Sequence, residues 1–323
     1  MYFTRKLAGE LKETGRNSTA RSYICAVERF ISFTNKPEMV FQDINPALLK
    51  EFEKRLLMEG KARNTVSMYM RMLRSVCNQA NHRNITDLSP LVFKDVFTGT
   101  DNCQKRAVST KLITLLGKMD HDMPWSIAFA RDVFLLSFYL RGIPFVDLAF
   151  LRKSDIQSGV LCYRRSKTKK LLTVILEPCA KAIFKKYTRY VKISPYALPI
   201  INRPGENEYL QYQSALRLYN KNLRKISTML GLQTVLTSYV ARHSWATAAY
   251  REGIPVSIIS EALGHTSEQV TYHYLTSFDN ATLRNANQKV LSLIGKEPGV
   301  LQLTSHQRIT RVRKNPHFLS GKQ

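Results

Sequence analysis

Helical spacing of apolar side chains constrains the fold of this chain more than any other sequence feature. Over residues 17–77, apolar residues recur every three or four positions in three stripes, the first formed by Ile24, Val27 and Ile31. This spacing places them on one face of an α-helix. Three or four helices fit the region, and helical patterns resume beyond residue 106 and continue to residue 294. The sequence predicts a fold that is mainly α.

One stretch departs from the helical pattern. Residues 159–176 form two runs of β-branched, aromatic and other apolar side chains on either side of a basic turn at residues 166–170. Such runs around a polar centre are typical of a β-hairpin. We therefore expect one small antiparallel β-sheet within the otherwise helical chain.

The helical pattern fades between Asn81 and Arg106, where Pro90 and a turn-like segment at residues 98–102 interrupt it. A chain of 323 residues is long enough for two domains that each bury a core. We expect a helical domain over residues 1–100, a mixed α/β domain over residues 101–296 and a basic tail over residues 297–323.

The charge balance indicates a polyanionic partner. Lys and Arg number 49 against 24 Asp and Glu, a formal net charge of +25. Binding to nucleic acid releases counterions from each neutralised phosphate, which makes it the simplest explanation. An anionic membrane surface and a ribosome-associated role are the alternatives that charge alone leaves open.

Location is predicted from what the sequence lacks. No apolar run approaches the roughly 20 residues of a membrane span, and the amino terminus carries no signal-peptide pattern. The five cysteines are scattered, without the paired spacing of a zinc site or a disulfide framework. We expect a cytoplasmic, nucleoid-associated protein with no metal and no membrane contact.

Cationic side chains accompany the third apolar stripe of the amino-terminal region. They are Lys61, Arg63, Arg71 and Arg74. Helices that bind DNA commonly present such a face to phosphates. A solvated helix surface is the alternative, and we carry these four residues as candidate DNA contacts.

Three short motifs follow one another near the carboxyl end of the predicted second domain. Arg242-His243-Ser244 comes first, Leu263-Gly264-His265 follows with 22 residues between Arg242 and His265, and Tyr274 follows His265 after eight more. Their order and spacing resemble the carboxyl-terminal motifs of the tyrosine recombinase (phage integrase) family, whose nucleophile is the final tyrosine. The resemblance covers roughly residues 15–295.

Two upstream segments extend the resemblance. Arg141, followed by Asp147, is similar to the family's first arginine box, although the gap between them is longer than in the common form. The basic turn places Lys167 at the position of the family's hairpin lysine. The resemblance implies a two-domain DNA clamp, with a helical core-binding (SAM-like) domain and a mixed α/β catalytic domain.

The implied chemistry explains why these residue types occur together. Attack on a phosphodiester builds negative charge that Arg141, Arg242 and His265 would stabilise without a metal, a cofactor or ATP. A phenol has a reference pKa of about 10, so tyrosine attacks only where cations favour its phenolate. Lys167 would protonate the departing 5′-oxygen.

Tyr239 is the departure from the family pattern that matters most, since histidine is usual three residues before the second arginine. The change leaves the proton acceptor open, and it motivates a second hypothesis of a DNA-binding accessory protein that no longer cleaves. We expect Asp147, Tyr239 and His243 to support the site. Tyr272 and Tyr274 would lie on nearly opposite faces of a helix, so only one of them can face the phosphate. The spacing from His265 favours Tyr274, and Tyr272 is the alternative nucleophile.

The resemblance implies site-specific recombination of double-stranded DNA through a 3′-phosphotyrosine, by a homotetramer bound to specific sites. Inversion, integration and excision remain open, as do accessory DNA-bending proteins. Apolar residues of the segment 280–294 would dock on a neighbouring subunit or pack within the chain. A type IB topoisomerase is a third hypothesis, since it uses similar chemistry on one duplex.

Overall fold

The structure is a computed structural model that describes residues 1–101, 106–119, 123–275 and 280–294. Its amino-terminal part contains four helices. The third begins where the sequence predicts, because Pro46 is its first residue and the Asn45 side chain accepts a hydrogen bond from the Leu48 backbone NH. The first was not predicted. The bounds are α1 Tyr2–Glu13, α2 Asn17–Thr34, α3 Pro46–Met58 and α4 Arg63–His82.

These four helices share a hydrophobic core of their own. Phe30 on α2 and Phe52 on α3 pack edge to face with ring centroids 5.1 Å apart, and both are almost fully buried. Met70 on α4 lies in the same cluster. The apolar stripes predicted from the sequence are the faces that meet here.

The described residues from 106 to 275 are built around helix α6, Trp125–Tyr139, whose residues 130–137 are all buried. A helix that is apolar on every side needs cover on every side, and α6 contacts α5, α8, α9 and α10. The helices are α5 Thr110–Lys118, α6 Trp125–Tyr139, α7 Phe145–Ala149, α8 Pro178–Tyr187, α9 Glu208–Met229, α10 Val240–Arg251, α11 Val256–Ala262, α12 Glu268–Tyr272 and α13 Asn280–Ile294.

The predicted hairpin is present, and a short third strand joins it. Strands β1 Ile156–Gln157, β2 Val160–Arg164 and β3 Leu171–Ile175 form an antiparallel sheet in that order. Tyr163 pairs with Leu172, and both face the core, whereas the alternate positions along the two longer strands face solvent. The mainly α fold with a small antiparallel sheet is confirmed.

A buried ionic network fixes α6 against α8. Asp132 accepts hydrogen bonds from the Nε atom of Arg131 at 2.8 Å and from the Lys186 ammonium at 2.6 Å. The Tyr187 hydroxyl donates to the same carboxylate at 2.8 Å. Each Asp132 oxygen is therefore paired, although the carboxylate is only 4% exposed.

Helix α13 belongs to a separate unit that begins at residue 276. Its Leu283, Val290 and Leu291 side chains are exposed. The predicted basic tail over residues 297–323 lies outside the described residues. Within the described ranges, no helix combines the length and apolar character needed to cross a membrane.

Candidate active site

The backbone turns sharply where α6 ends. Arg141 and Gly142 have φ angles of 58° and 71°, both in the left-handed region, which is uncommon for a residue with a Cβ atom. The Gly142 NH donates to the Ser137 carbonyl at 2.8 Å. The turn points the Arg141 guanidinium toward strand β3, where its Nη1 atom lies 3.4 Å from the Thr173 carbonyl oxygen.

Helix α10 brings Arg242 against this turn. The Arg242 side chain is almost fully buried, and its Nη1 atom donates to the Gly142 carbonyl at 2.8 Å. Its Nη2 atom lies 2.5 Å from the Leu263 carbonyl and 2.9 Å from Nε2 of His265. Three polar groups thus hold the guanidinium in one orientation, and none of them carries a negative charge.

Burial and a second cation act on the charge of Arg242. Desolvation, followed by the repulsion of Arg165, lowers the Arg242 pKa to about 10. The guanidinium remains protonated at neutral pH. A positive charge held out of water beside another is a favourable environment for an anion such as phosphate.

His265 lies between Arg242 and α12. Burial, with the nearby charges of Arg242 and Arg165, lowers the His265 pKa to about 3, so the imidazole is neutral at physiological pH. Because arginine only donates, we assign the Nε2 atom of His265 as acceptor and the proton to Nδ1. That nitrogen lies 2.8 Å from the Thr271 hydroxyl oxygen, and Thr271 is fully buried.

Tyr274 packs over these residues. Its ring centroid lies 4.9 Å from that of His265 and 4.6 Å from that of His243. The guanidinium carbon of Arg242 lies 5.5 Å from the Tyr274 centroid. The Tyr274 ring therefore contacts both the second arginine motif and the Leu-Gly-His motif.

The expectation that Tyr272 and Tyr274 lie on one helix is wrong. Helix α12 ends at Tyr272, and the backbone NH of Tyr274 instead closes a turn onto the Thr271 carbonyl at 2.8 Å. The Tyr272 side chain is 49% exposed, whereas Tyr274 is half-buried against the two histidines.

Lys167 lies in the exposed turn between β2 and β3. The flanking Arg165, which was not predicted as a site residue, is buried, and its Nη1 atom donates to the Gly264 carbonyl at 2.6 Å. Positions 161, 163 and 165 alternate inward along this strand. That period of two was the available signal, because an arginine on the inward face of a strand needs a polar reason to be there.

Asp147 and Tyr239 border the pocket. Asp147 on α7 is buried, and its Oδ1 atom accepts from the Ser166 backbone NH at 2.9 Å, which ties α7 to the hairpin turn. Burial raises the Asp147 pKa. Tyr239 precedes α10 and is about half exposed, and partial burial with the neighbouring Tyr274 raises its pKa, so its phenol stays protonated.

Two family models match the chain. Residues 1–96 match a model described as a phage integrase SAM-like domain, and residues 126–281 match the model of the phage integrase family. The second range includes Arg141, Lys167, Arg242, His265 and Tyr274. The chain belongs to the phage integrase family of tyrosine recombinases.

Curated relatives are recombinases of similar length. A tyrosine recombinase XerA from Pyrococcus horikoshii is 25% identical over 279 residues, which cover 76% of this chain and 94% of the relative. A tyrosine recombinase XerC from Thermodesulfovibrio yellowstonii is 24% identical, with 82% of this chain and 87% of the relative covered.

Solved recombinase structures have the same fold. A lambda integrase dimer bound to a core site matches with a TM-score of 0.62 at 15% identity, covering 94% of this chain and 99% of that one. The XerH site-specific recombinase bound to palindromic difH substrate matches with a TM-score of 0.59 at 18% identity, covering 87% of this chain and 84% of that one. The predicted combination of a SAM-like domain with a recombinase catalytic domain is confirmed.

The candidate DNA contacts of this recombinase lie on or directly before α4 in the amino-terminal part of the chain. Lys61 precedes α4 and is exposed, as is Arg71, whereas Arg74 is half-buried. The Nε atom of Arg63 lies 3.6 Å from the Asp101 carboxylate, and its guanidinium stacks over the Phe97 ring, 4.4 Å from the centroid. The four side chains therefore differ in exposure, and their contact with DNA stays a prediction.

Proposed function

We propose that this chain is a site-specific DNA recombinase that cleaves and rejoins duplex DNA through a 3′-phosphotyrosine on Tyr274. One observation supports the assignment most strongly. The half-buried Tyr274 ring lies beside a buried guanidinium, that of Arg242, whose hydrogen-bond partners are all uncharged. A tyrosine nucleophile and a cation available to a phosphate thus share one pocket.

In the proposed reaction, Arg141 and Arg242 bind the non-bridging oxygens of the scissile phosphate. His265 stays neutral and accepts from Arg242 through Nε2, which orients that guanidinium for the phosphate. Tyr274 loses its proton to solvent and its oxygen forms a bond to phosphorus, while the bond to the 5′-oxygen breaks. Lys167 gives that oxygen its proton.

The bond between the Tyr274 oxygen and phosphorus replaces the broken bond to the 5′-oxygen, so the phosphorus stays in a diester and the energy of that bond is conserved. A 5′-hydroxyl from a second duplex can therefore attack the phosphotyrosine, release Tyr274 and restore a continuous strand without ATP. Tyr239, which keeps its phenolic proton, serves as a hydrogen-bond donor to the phosphate and does not accept a proton.

The proposal includes partners and place. Double-stranded DNA with specific recombination sites is the substrate, a homotetramer brings two duplexes together, and accessory DNA-bending proteins assist. One of the related structures is a lambda integrase tetramer bound to a Holliday junction, which supports this assembly. Residues 1–100 would form the clamp domain and 101–296 the catalytic domain of a cytoplasmic, nucleoid-associated enzyme.

A two-duplex joining assay tests the proposal. Two labelled duplexes of different length, each carrying a candidate site chosen from inverted repeats near the coding sequence, are incubated with the protein and resolved by size. We expect joined products of new length. In a parallel assay on supercoiled plasmid, relaxation of the DNA without joined products in the first assay would favour the topoisomerase hypothesis. Tight binding without any cleavage would favour an accessory protein.

A further inference from the structure

The turn that carries Lys167 is attached to the catalytic pocket at two points. Arg165, on one side of Lys167, donates from Nη1 to the Gly264 carbonyl at 2.6 Å. Thr168, on the other side, donates from its hydroxyl to the same oxygen at 3.1 Å. Lys167 itself is exposed. An exposed lysine thus lies between two residues that share one buried acceptor.

That acceptor belongs to a rigid part of the site. Gly264 has a φ angle of +65°, and a Cβ atom there would lie 2.9 Å from the Leu172 Cδ1 atom and 3.2 Å from Cδ of Arg165. Its NH donates to the Glu261 carbonyl at 2.8 Å. The next residue is His265, so the carbonyl that holds the hairpin lies directly before the imidazole of the site.

The surroundings of Arg165 argue against a purely structural ion pair. Arg165 is 4% exposed, and although its charge acts on the buried Asp147 carboxylate, the two form no ion pair among the residues that the structure describes. Its Nε atom is buried without a hydrogen-bond partner in the described part of the chain. A buried cation with incomplete pairing costs stability, and such arrangements concentrate at functional sites.

We propose that Arg165 is a positioning residue for strand cleavage, assisted by Thr168. Their shared hydrogen bonds to Gly264 hold the turn so that Lys167 reaches the leaving 5′-oxygen. This role rests on the proposed cleavage by Tyr274. Arg165 makes the larger contribution, because a hydrogen bond from a charged donor is about twice as strong as a neutral one.

A modified substrate separates this role from general damage to the site. We would compare nicked DNA that traps the covalent adduct with the same DNA carrying sulfur in place of the bridging 5′-oxygen. A thiol has a pKa of about 8.5, so sulfur departs as a thiolate without an acid. The sulfur substrate therefore bypasses Lys167 and whatever positions it.

The variants are Arg165→Gln, Arg165→Lys and Thr168→Val, with Lys167→Met as reference. Arg164→Gln is the matched control, because the adjacent Arg164 faces solvent and donates at 3.3 Å to the Lys169 carbonyl within the turn, not to Gly264. On ordinary DNA we expect Arg165→Gln to slow adduct formation by about 100-fold, the usual cost of a small misplacement of a catalytic group. Thr168→Val should cost a few-fold, and Arg165→Lys should fall between them.

The sulfur substrate should bring every one of these variants to within a few-fold of the unmodified protein, while Arg164→Gln behaves as wild type on both substrates. The positioning role would be overturned if Arg165→Gln and Thr168→Val were each slowed as much on the sulfur substrate as on ordinary DNA. Wild-type rates of both variants on ordinary DNA would also overturn it. Should Arg165→Gln fail to fold, Thr168→Val and Arg165→Lys decide by the same comparison.

Failure of the proposed function has a different signature. If wild type forms no adduct with either substrate, strand cleavage itself is contradicted. If wild type forms the adduct but Lys167→Met is not rescued by sulfur, the acid role of Lys167 fails, and the positioning of Lys167 by Arg165 fails with it.

Discussion

Two buried arginines of this chain have opposite surroundings. Arg131 on α6 pairs with the Asp132 carboxylate, which also accepts from Lys186 and Tyr187. Arg242 on α10 donates to two backbone carbonyls and contacts His265, and within the described residues it has no ion-pair partner. Both guanidinium groups are nearly inaccessible to solvent.

The difference separates a structural charge from a functional one. At Arg131 the neutralising carboxylate is part of the fold, so the network stabilises the packing of α6 against α8. At Arg242 no carboxylate pairs with the guanidinium among the described residues, and burial, followed by the repulsion of Arg165, lowers the Arg242 pKa to about 10. A phosphate would supply the missing negative charge.

Loss of the Arg242 charge should have the largest effect on chemistry. We expect Arg242→Gln to reduce adduct formation on nicked DNA by about 1,000-fold, because a preorganised donor to the developing charge is removed. Urea unfolding should show a smaller loss of stability than at the Arg131 network. Wild-type cleavage by Arg242→Gln would contradict the functional role of the Arg242 charge.

Loss of the carboxylate at the other site should act on stability. We expect Asp132→Asn to lower the free energy of unfolding by about 3 kcal/mol, because Arg131 is left buried without its partner. Urea unfolding measures this change. Adduct formation per folded molecule should stay at the wild-type level, and a specific loss of cleavage would contradict the division between the sites.

Gly142→Ala tests how closely the turn after α6 supports Arg242. An added Cβ atom would lie 2.8 Å from the Arg242 Cα atom, at a backbone φ of +71°. We expect cleavage to fall by about 100-fold because Arg242 is displaced. Gly253→Ala has a φ of +78° but open space, so it controls for backbone strain. Equal rates for the two variants would show that the contact is unimportant.

His265 should make the fold sensitive to acid. Its pKa is about 6.5 in an unfolded chain and about 3 in the folded one, so the unfolded state binds more protons between these values. The neutral, buried imidazole therefore contributes fully to the stability of the fold above pH ~6.5, and this contribution is lost as the pH falls toward about 3. Between about pH 7 and pH 5, the free energy of unfolding of the wild type should fall by about 2 kcal/mol more than that of His265→Asn. Parallel curves would contradict a neutral buried His265.

Tyr239 should have the smallest effect. We expect Tyr239→Phe to slow adduct formation by about tenfold, the loss of one hydrogen bond to a charged group. Tyr239→His should restore the rate and add a pH dependence near the ordinary histidine pKa of about 6.5. Tyr272→Phe is the control and should match wild type. An unchanged rate in Tyr239→Phe would place its phenol away from the phosphate.

Periodicity predicted most of the elements because the helices bury one clear face. The hairpin was predicted for the same reason, since its alternation has a period of two. Helices α1 and α5 and strand β1 were missed. Tyr2–Glu13 carries only three buried residues, and the two residues of Ile156–Gln157 are too few to show alternation.

Spacing identified the candidate residues at Arg242, His265 and Tyr274, and the structure brings these three together. Motif spacing did not indicate Arg165. Strand alternation marks its position as inward-facing, but its proposed role depends on a contact with Gly264 almost 100 residues away. The end of α12 before Tyr274 was also hidden, because a helical register continues in the sequence after the backbone has left the helix. Contacts between distant segments decide both features.

Covalent capture of nicked DNA by wild type, Tyr274→Phe and Tyr272→Phe tests strand cleavage most directly. The nick lets the cleaved end diffuse away, so a phosphotyrosine accumulates and migrates as a protein-DNA adduct on a denaturing gel. Cleavage through Tyr274 predicts an adduct with wild type and Tyr272→Phe and none with Tyr274→Phe. An adduct that persists in Tyr274→Phe, or its absence from wild type on DNA that the protein binds tightly, would contradict it.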